Sequence, residues 1–296
     1  MVRIFPIFIL FSFLSAYEAY AEEVKLQQGD LTLNANLEKA DDWPAGPTVL
    51  ITHGTLSHNK SEIMTALQEL FLQNGVSSLA INLGLGLNDR HGPYDCNTPH
   101  NHKHEDAIGE IGTWMDWLEK QGVKEVVLLG HSRGGNQTAW FAAEHDDPVI
   151  RKVILVAPQT WNMEYEAQSY ENNYGKPLAA VQGKAESLVA AGKPATAIEH
   201  TDFIYCKDTT VSAEAVVSYY AADPRKDTPY LLPKIKKPVL VFAGSEDQTV
   251  KGLNEKLAPL AEAGDIELVV IDGADHFFRD LYVEDLVDSA VVFINE

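Results

Sequence analysis

Short apolar runs alternate with helical patterns along most of the chain. Six of these runs are rich in Val, Ile and Leu and have no polar face, a pattern typical of strands buried on both sides. They cover 47–54, 77–83, 124–130, 151–158, 237–244 and 266–272. Helical patterns occur between them and after the last, at 63–71, 108–118, 133–145, 253–260 and 281–294. This alternation predicts an α/β fold, with a mostly parallel central sheet and helices on both faces.

Two segments depart from the alternation. Residues 24–38 alternate polar and apolar positions around "QGD", which predicts an antiparallel hairpin. Residues 159–236 contain no buried strand, although helical stretches occur near 177–192 and 212–221. They are either ordinary surface helices or a cap over the carboxyl edge of the sheet, where open α/β sheets bind ligands. The length of the segment favours the cap, so we predict one domain over 22–296 with a cap insertion at about 159–236.

The first 21 residues differ from the rest of the chain. A positively charged start with Arg3 precedes the apolar run "IFPIFILFSFL", and "AYA" at 19–21 places small residues before a cleavage point. The apolar run is shorter than the roughly 20 residues that a membrane-spanning helix needs. We therefore predict a signal peptide at 1–21, no membrane anchor after its cleavage, and export to the periplasm or the extracellular space.

Net charge and cysteine content narrow the partners and the compartment. The formal net charge of −20 disfavours nucleic acid and anionic lipid surfaces, because both would be repelled. The only cysteines are Cys96 and Cys206. In an oxidising compartment two thiols without other partners are expected to bond, so we predict a disulfide, although spacing alone does not establish its geometry.

A serine lies at the junction of a predicted strand and a predicted helix, in "LLGHSRGGNQ". A sharp turn at this junction exposes the hydroxyl of Ser132 above the sheet, and Gly130 and Gly134 leave room for the turn. The amides at the start of the helix then point toward the serine, where they can stabilise an oxyanion. Because the strand and the helix are both present, the G-x-S-x-G pattern predicts a nucleophile.

A serine hydroxyl needs a base to take its proton, and the base needs a carboxylate to orient it. Asp247 follows the strand at 237–244, and His276 follows the last strand. The order Ser, Asp, His matches one known triad architecture. We prefer Asp247 over its neighbour Glu246 because it matches the pattern G-x-x-D.

These motifs together resemble the α/β-hydrolase family over nearly the whole length after the signal. The segments that carry the resemblance are "HGT" at 53–55, "GHSRGG", "GSEDQTV" and "GADHF". The resemblance implies that Ser132 is the nucleophile, that His276 is the base and that Asp247 orients the histidine. It also implies an oxyanion hole formed by the backbone amides of Thr55 and Arg133. Supporting positions are His53 and Gly54 in the oxyanion loop and Gly130 and Gly134 at the elbow.

The chain departs from the family pattern in three places. It has no HGGG signature, the loop "NDRHGPY" lacks one Gly of the Arg-Gly-His-Gly loop that it resembles, and the cap region matches no particular subgroup. We predict an exported serine hydrolase that acts on a small-molecule ester and requires no cofactor. The alternatives are an amidase, an acyltransferase or a non-catalytic ligand-binding protein on the same fold.

The histidine-rich segment "HGPYDCNTPHNHKHED" at 91–106 contains Cys96 and four histidines: His91, His100, His102 and His104. It lacks the carboxylate or Cys set of a firm zinc signature, so we predict no metal. We predict instead that these histidines form a wall of the substrate entrance, which the Cys96–Cys206 bond ties to the cap. Several tyrosines of the cap either line a pocket or simply pack: Tyr165, Tyr170, Tyr174, Tyr205, Tyr219 and Tyr220.

Overall fold

The computed structural model describes residues 21–296. The predicted signal peptide lies outside the described residues except for Ala21. Within the described part, no helix combines the length and the apolar character that a membrane span requires.

The central sheet has eight strands. Its first two strands, β1 (Glu22–Gln28) and β2 (Leu31–Glu38), form the predicted antiparallel hairpin. The other six follow the predicted buried runs: β3 (Thr48–Thr52), β4 (Ser77–Asn82), β5 (Val126–His131), β6 (Ile150–Val156), β9 (Val239–Gly244) and β10 (Glu267–Ile271). The strands lie in the spatial order β1-β2-β4-β3-β5-β6-β9-β10. In this order every pair of neighbours after β2-β4 is parallel.

Helices cover both faces of the sheet, and the residues between them and the sheet form two apolar cores. The helices on one face are α1 (Glu62–Gln73) and α9 (Leu281–Asn295). Those on the other face are α2 (Asp106–Gln121), α3 (Arg133–Glu144) and α8 (Leu253–Glu262). The predicted α/β fold, with a mostly parallel sheet between two helical layers, is confirmed.

Residues 159–236 form a separate cluster with its own apolar core. Its helices are α4 (Met163–Tyr174), α5 (Leu178–Ala190), α6 (Ala213–Tyr220) and the short α7 (Thr228–Leu231). The expectation that this segment lacks a buried strand is wrong. It contains the hairpin β7 (Ala197–Phe203) and β8 (Cys206–Ser212), whose Phe203 and Val211 are fully buried. The sequence "AIEHTDF" of β7 is mostly polar and its pairing is irregular, so neither an apolar run nor a strict alternation revealed it.

A disulfide links this hairpin to the loop that follows β4. Cys96 in the loop is bonded to Cys206 at the start of β8, with 5.3 Å between the two Cα atoms. Next to it, His100 forms an isolated parallel bridge with Val211. The predicted disulfide is therefore present, and it holds the histidine-rich segment against the hairpin.

Candidate active site

Ser132 occupies the sharp turn between β5 and α3. Its backbone angles are φ 58° and ψ −123°, a conformation that is strained for a residue with a Cβ and is typical of functional positions. The two neighbouring glycines make the turn possible. A Cβ on Gly134 would clash with the carbonyl oxygen of His53, and one on Gly130 would clash with the backbone of Gly134 and with Thr138.

Gly134→Ala is expected to lower the free energy of unfolding by about 1–3 kcal/mol, the usual cost of overpacking. The added methyl group must displace the backbone at His53 or the start of α3, because rigid carbonyl atoms surround it. Chemical denaturation of the purified protein measures the change. Gly183→Ala is the matched control, since its Cβ meets open space in α5 and alanine is the better helix former. Equal stabilities of the two variants would contradict this account of the elbow.

The three residues predicted as a triad lie in one hydrogen-bonded line. His276 Nε2 is 2.9 Å from Ser132 Oγ, and His276 Nδ1 is 2.7 Å from Asp247 Oδ2. His276 is 5% exposed. These residues come from three loops at the carboxyl ends of β5, β9 and β10, which meet at one edge because the strands are parallel. The geometry is that of a hydroxyl, a base and an orienting carboxylate.

Asp247 is held in its ionised form. Burial alone would raise the pKa of its carboxyl, but the hydrogen bond and charge of His276 and the amides of Val250 and Thr249 hold this pKa below the ordinary value. The two amides donate to Oδ1 at 3.0 and 2.7 Å, which leaves Oδ2 for the imidazole. An ionised carboxylate oxygen can only accept a hydrogen bond, so the proton of the imidazole must lie on Nδ1. The carboxylate therefore fixes the tautomer in which Nε2 faces the serine without a proton.

His131 supports the loop that carries His276. Its ring lies 4.9 Å from the His276 ring, and its Nε2 contacts the His276 carbonyl oxygen at 2.9 Å. Burial, reinforced by the neighbouring His276, lowers the pKa of His131 to about 3, so the ring is neutral. A neutral ring with its proton on Nε2 donates to that carbonyl and holds His276 in place.

The backbone amides of Thr55 and Arg133 flank the serine, and within residues 21–296 neither of them donates a hydrogen bond to the protein. Gly54 lies directly against Ser132, since a Cβ on this glycine would be 3.1 Å from the Ser132 Cβ. A short loop with unused amides beside a hydroxyl is the arrangement that an oxyanion hole requires.

His53 braces that loop and faces away from the serine. Its Nδ1 donates to the carbonyl oxygen of Gly54 at 2.8 Å, and its Nε2 accepts from the amide of Leu83 at 3.1 Å. Burial lowers the pKa of His53 to about 3, with the nearby Arg90 as a second cause. Arg90, in the loop with the missing glycine, also donates to the carbonyl oxygens of Leu83 and Ser57. It thereby ties the ends of β3 and β4 together.

Two cavities meet at Ser132. The larger has a volume of about 540 Å³ and a mostly apolar lining that includes Ile63, Ala66, Phe277, Phe278 and Val283. The smaller has a volume of about 110 Å³ and a more polar lining with Arg133, Glu166 and Gln159. The six tyrosines singled out in the cap segment line the smaller cavity: Tyr165, Tyr170, Tyr174, Tyr205, Tyr219 and Tyr220. Of the two interpretations of these tyrosines, the lining of a pocket is the one that the structure supports.

The prediction that the histidines wall the substrate entrance is wrong. His100, His102 and His104 are all fully buried, and neither cavity at Ser132 is lined by them. The hairpin and two helices cover them: His100 packs edge-on against Phe203 of β7, His102 Nδ1 contacts the hydroxyl of Tyr219 in α6 at 2.8 Å, and His104 stacks on Trp140 of α3. Because the sequence did not reveal the hairpin, it also did not reveal what buries His100.

His91 lies apart from the other three. It is exposed, and its ring contacts Glu23 and the carbonyl oxygen of Asp89 beside the β1–β2 hairpin. A metal ion needs several His, Cys, Asp or Glu side chains close together. Among the described residues, one group of at least three such side chains has its nitrogen and oxygen ligand atoms within 4.8 Å of one another: Glu23, Asp89 and His91. The three buried histidines do not belong to that group, and His91 lines neither cavity at Ser132.

Comparisons with known proteins agree with this architecture. The profile of the Alpha/beta hydrolase family matches residues 49–288, so the chain belongs to that family. A 2-(acetamidomethylene)succinate hydrolase from Mesorhizobium japonicum is 24% identical over 284 residues, which cover 90% of this chain and 93% of that protein. Among solved structures, Est1E from Butyrivibrio proteoclasticus has a TM-score of 0.62 at 18% identity, covering 92% of this chain and 97% of its own.

The α/β hydrolase GrgF from Penicillium sp. sh18 has a TM-score of 0.65 at 16% identity, covering 93% of this chain and 98% of its own. At such identities the structural likeness establishes the fold. Family membership and the hydrolases among the relatives support an enzyme that hydrolyses a small molecule.

Several residues that shape the site escaped the sequence analysis. Phe277 and Phe278 form part of the apolar cavity, while Glu166 and the side chain of Arg133 face the polar one. The pair of phenylalanines directly after His276 was visible in the sequence. Glu166 gave no signal, because one acidic residue in an acidic helix cannot be told from a solvated one.

Proposed function

We propose that the protein is an exported serine hydrolase that cleaves carboxylic esters of small molecules through an acyl-enzyme. The observation that carries this proposal is the continuous hydrogen-bonded line from Asp247 through His276 to Ser132. The disulfide between Cys96 and Cys206 supports export, because such bonds persist in oxidising compartments.

In this mechanism Ser132 Oγ attacks the ester carbonyl carbon while His276 Nε2 takes the hydroxyl proton. The amides of Thr55 and Arg133 donate to the oxyanion that forms, and each such donor lowers the barrier by about 3 kcal/mol. His276 then gives the proton to the leaving alkoxide, and the Asp247 carboxylate stabilises the imidazolium in between. Water, activated by the same histidine, attacks the acyl-enzyme and releases the acid. All groups required for these steps come from the chain itself.

A fluorophosphonate probe tests this assignment, because it reacts only with an activated serine. We expect the wild type to become labelled and Ser132→Ala to remain unlabelled, with the label on the peptide that contains residue 132 in mass spectrometry. Ser57→Ala is the matched control, since Ser57 lines the same cavity without contacting His276, and it should still be labelled. Equal labelling of wild type and Ser132→Ala would contradict the nucleophile. An unlabelled wild type would favour a non-catalytic ligand-binding protein.

Amide hydrolysis is the second candidate, motivated by the similarity to a hydrolase of an acetamido compound. The same triad serves both reactions. The amine of an amide is a poorer leaving group than the alcohol of an ester unless it is protonated as it departs. Rates for matched esters and amides of one acid decide between them. An amide rate close to the ester rate would favour the amidase.

A further inference from the structure

The side chain of Arg133 is a cation beside the nucleophile that the protein does not neutralise. Its Nε donates to Thr55 Oγ1 at 3.0 Å, and its Nη1 lies 3.2 Å from His104 Nδ1. The carbon at the centre of the guanidinium lies 5.0 Å from the centroid of the Tyr219 ring. Within residues 21–296, Nη2 donates no hydrogen bond, and no carboxylate oxygen lies within 4.0 Å of the guanidinium nitrogens.

Two other arginines of this chain, whose net charge is −20, pair with carboxylates. Arg225 contacts Asp223 and Glu144, and Arg279 contacts Asp275 and Glu62. Arg133, by contrast, has only neutral partners. His104 is one of them, because burial, with the charge of Arg133 as a further cause, holds its pKa well below the ordinary value. The positive charge of Arg133 is thus kept at the wall of the smaller cavity.

The remaining charges around this cavity fit a singly charged anion. Lys226 is 3% exposed and adds a second positive charge behind the wall, where its Nζ donates to the carbonyl oxygen of Ala221 at 2.7 Å. Glu166 lines the cavity, and within the described residues its carboxyl makes no hydrogen bond or ion pair. Burial raises the pKa of this carboxyl, while the charges of Arg133 and Lys226 act to lower it. An acidic group at this position limits how much anionic charge the cavity accepts, which disfavours a phosphate dianion and leaves room for a carboxylate.

We propose that the substrate carries a carboxylate which occupies the smaller cavity and binds the free edge of the Arg133 guanidinium, while the less polar part of the substrate occupies the larger cavity. Guanidinium and carboxylate are complementary in shape and charge, and their hydrogen bonds are stronger than those between neutral groups. This inference rests on the proposed esterase and names its substrate class: esters of small molecules with a free carboxylate.

Two pairs of esters test the inference, one for each half of the substrate. In the first pair the alcohol part carries the charge: 4-carboxyphenyl butyrate against 4-carbamoylphenyl butyrate. In the second the acyl part carries it: the 4-nitrophenyl monoester of adipic acid against that of adipic acid monoamide. Each pair exchanges a carboxylate for a neutral carboxamide of the same shape. In at least one pair we expect the wild type to prefer the carboxylate in kcat/KM by about 10- to 100-fold, the range for hydrogen bonds to a charged group.

Three variants then locate the origin of the preference. Arg133→Met should reduce the ratio of carboxylate to carboxamide toward one, and Arg133→Lys should restore part of it. Glu166→Gln should raise the ratio, because it removes a negative charge from the same cavity. As a control, Arg151→Met removes an exposed cation that lines neither cavity, so it should leave the ratio unchanged. A structural role of Arg133 would not produce opposite effects from Arg133→Met and Glu166→Gln.

The outcomes separate this inference from the proposed function. Turnover of the esters with ratios near one in both pairs would overturn the carboxylate alone. Equal reductions of the ratio in Arg133→Met and Arg151→Met would also overturn it, since that effect would be general electrostatics. If Arg133→Met does not fold, the wild-type ratio is measured at rising salt, where screening should lower it, and a ratio independent of salt would overturn the inference. No turnover of any ester, together with no fluorophosphonate labelling, would instead contradict the hydrolase.

Discussion

Replacing Asp247 with Asn is expected to lower kcat by about four orders of magnitude while the fold stays intact, as the equivalent change does in a serine protease. The reason lies in the two oxygens of the carboxylate. Oδ1 accepts from the amides of Thr249 and Val250, and an asparagine can keep those bonds with its carbonyl oxygen. The position of Oδ2 then becomes an NH₂ group, which cannot accept from His276 Nδ1. The imidazole must adopt the other tautomer, whose Nε2 already carries a proton and cannot take one from Ser132.

Steady-state kinetics on a chromogenic ester measure this effect, and chemical denaturation shows whether the variant remains folded. Glu246→Gln is the matched control: it makes the same chemical change one position earlier, on an exposed side chain. It should retain activity within a few-fold. Unchanged turnover in Asp247→Asn, or a larger loss in Glu246→Gln, would move the orienting carboxylate elsewhere.

The parts of the fold that the sequence revealed are those set by burial on both faces. The runs around Leu50, Leu128 and Leu240 could be recognised as strands because a parallel sheet between two helical layers leaves no polar face on them. The same regularity located the site. When the strands are parallel, every loop at their carboxyl ends meets at one edge. The positions of Ser132, Asp247 and His276 directly after three parallel strands therefore predicted that these side chains would meet.

The cap was less predictable because its stability comes from tertiary contacts and a covalent link. The hairpin β7–β8 is short and irregular, and its strands carry more polar than apolar residues. The disulfide to Cys96 and the buried contacts of Phe203 hold it in place. Those contacts form only when the loop after β4 folds under the hairpin, so no local pattern in the sequence marks them.

The buried histidines connect this covalent link to the substrate cavities. His100 Nδ1 lies 3.2 Å from His102 Nε2, and His102 in turn contacts the Tyr219 hydroxyl. The ring of Tyr219 supports Arg133, whose guanidinium contacts His104. The histidine-rich segment therefore acts on the site indirectly, by fixing the walls of the smaller cavity from behind.

Lowering the pH from 7 to 5.5 is expected to reduce the free energy of unfolding by several kcal/mol. Besides His276 of the triad, five histidines are buried: His53, His100, His102, His104 and His131. Burial lowers the pKa of His53, His102 and His131 to about 3 and that of His100 to about 4, and it holds the pKa of His104 well below the ordinary value of 6.5. Below pH 6.5 the unfolded chain therefore binds more protons than the folded one. As the pH falls, each of these histidines lowers the free energy of unfolding by up to about 1.4 kcal/mol per pH unit.

Burial raises the pKa of four carboxyls, which work in the opposite direction: Glu38, Asp106, Glu110 and Glu166. Glu110 sharpens the test. Burial raises the pKa of Glu110 to about 7, so the folded protein retains a proton that the unfolded chain loses above pH 4.5, and acid relieves this cost. The five histidine pKa values lie far below 6.5, whereas Glu110 has the largest shift of the four carboxyls, so the net effect of acid is destabilising. Urea denaturation across this pH range measures the slope. Glu110→Gln should make it steeper, whereas the exposed His91→Gln should leave it unchanged. A free energy of unfolding that stays constant between pH 7 and 5.5 would mean that these imidazoles remain accessible to protons in the folded protein.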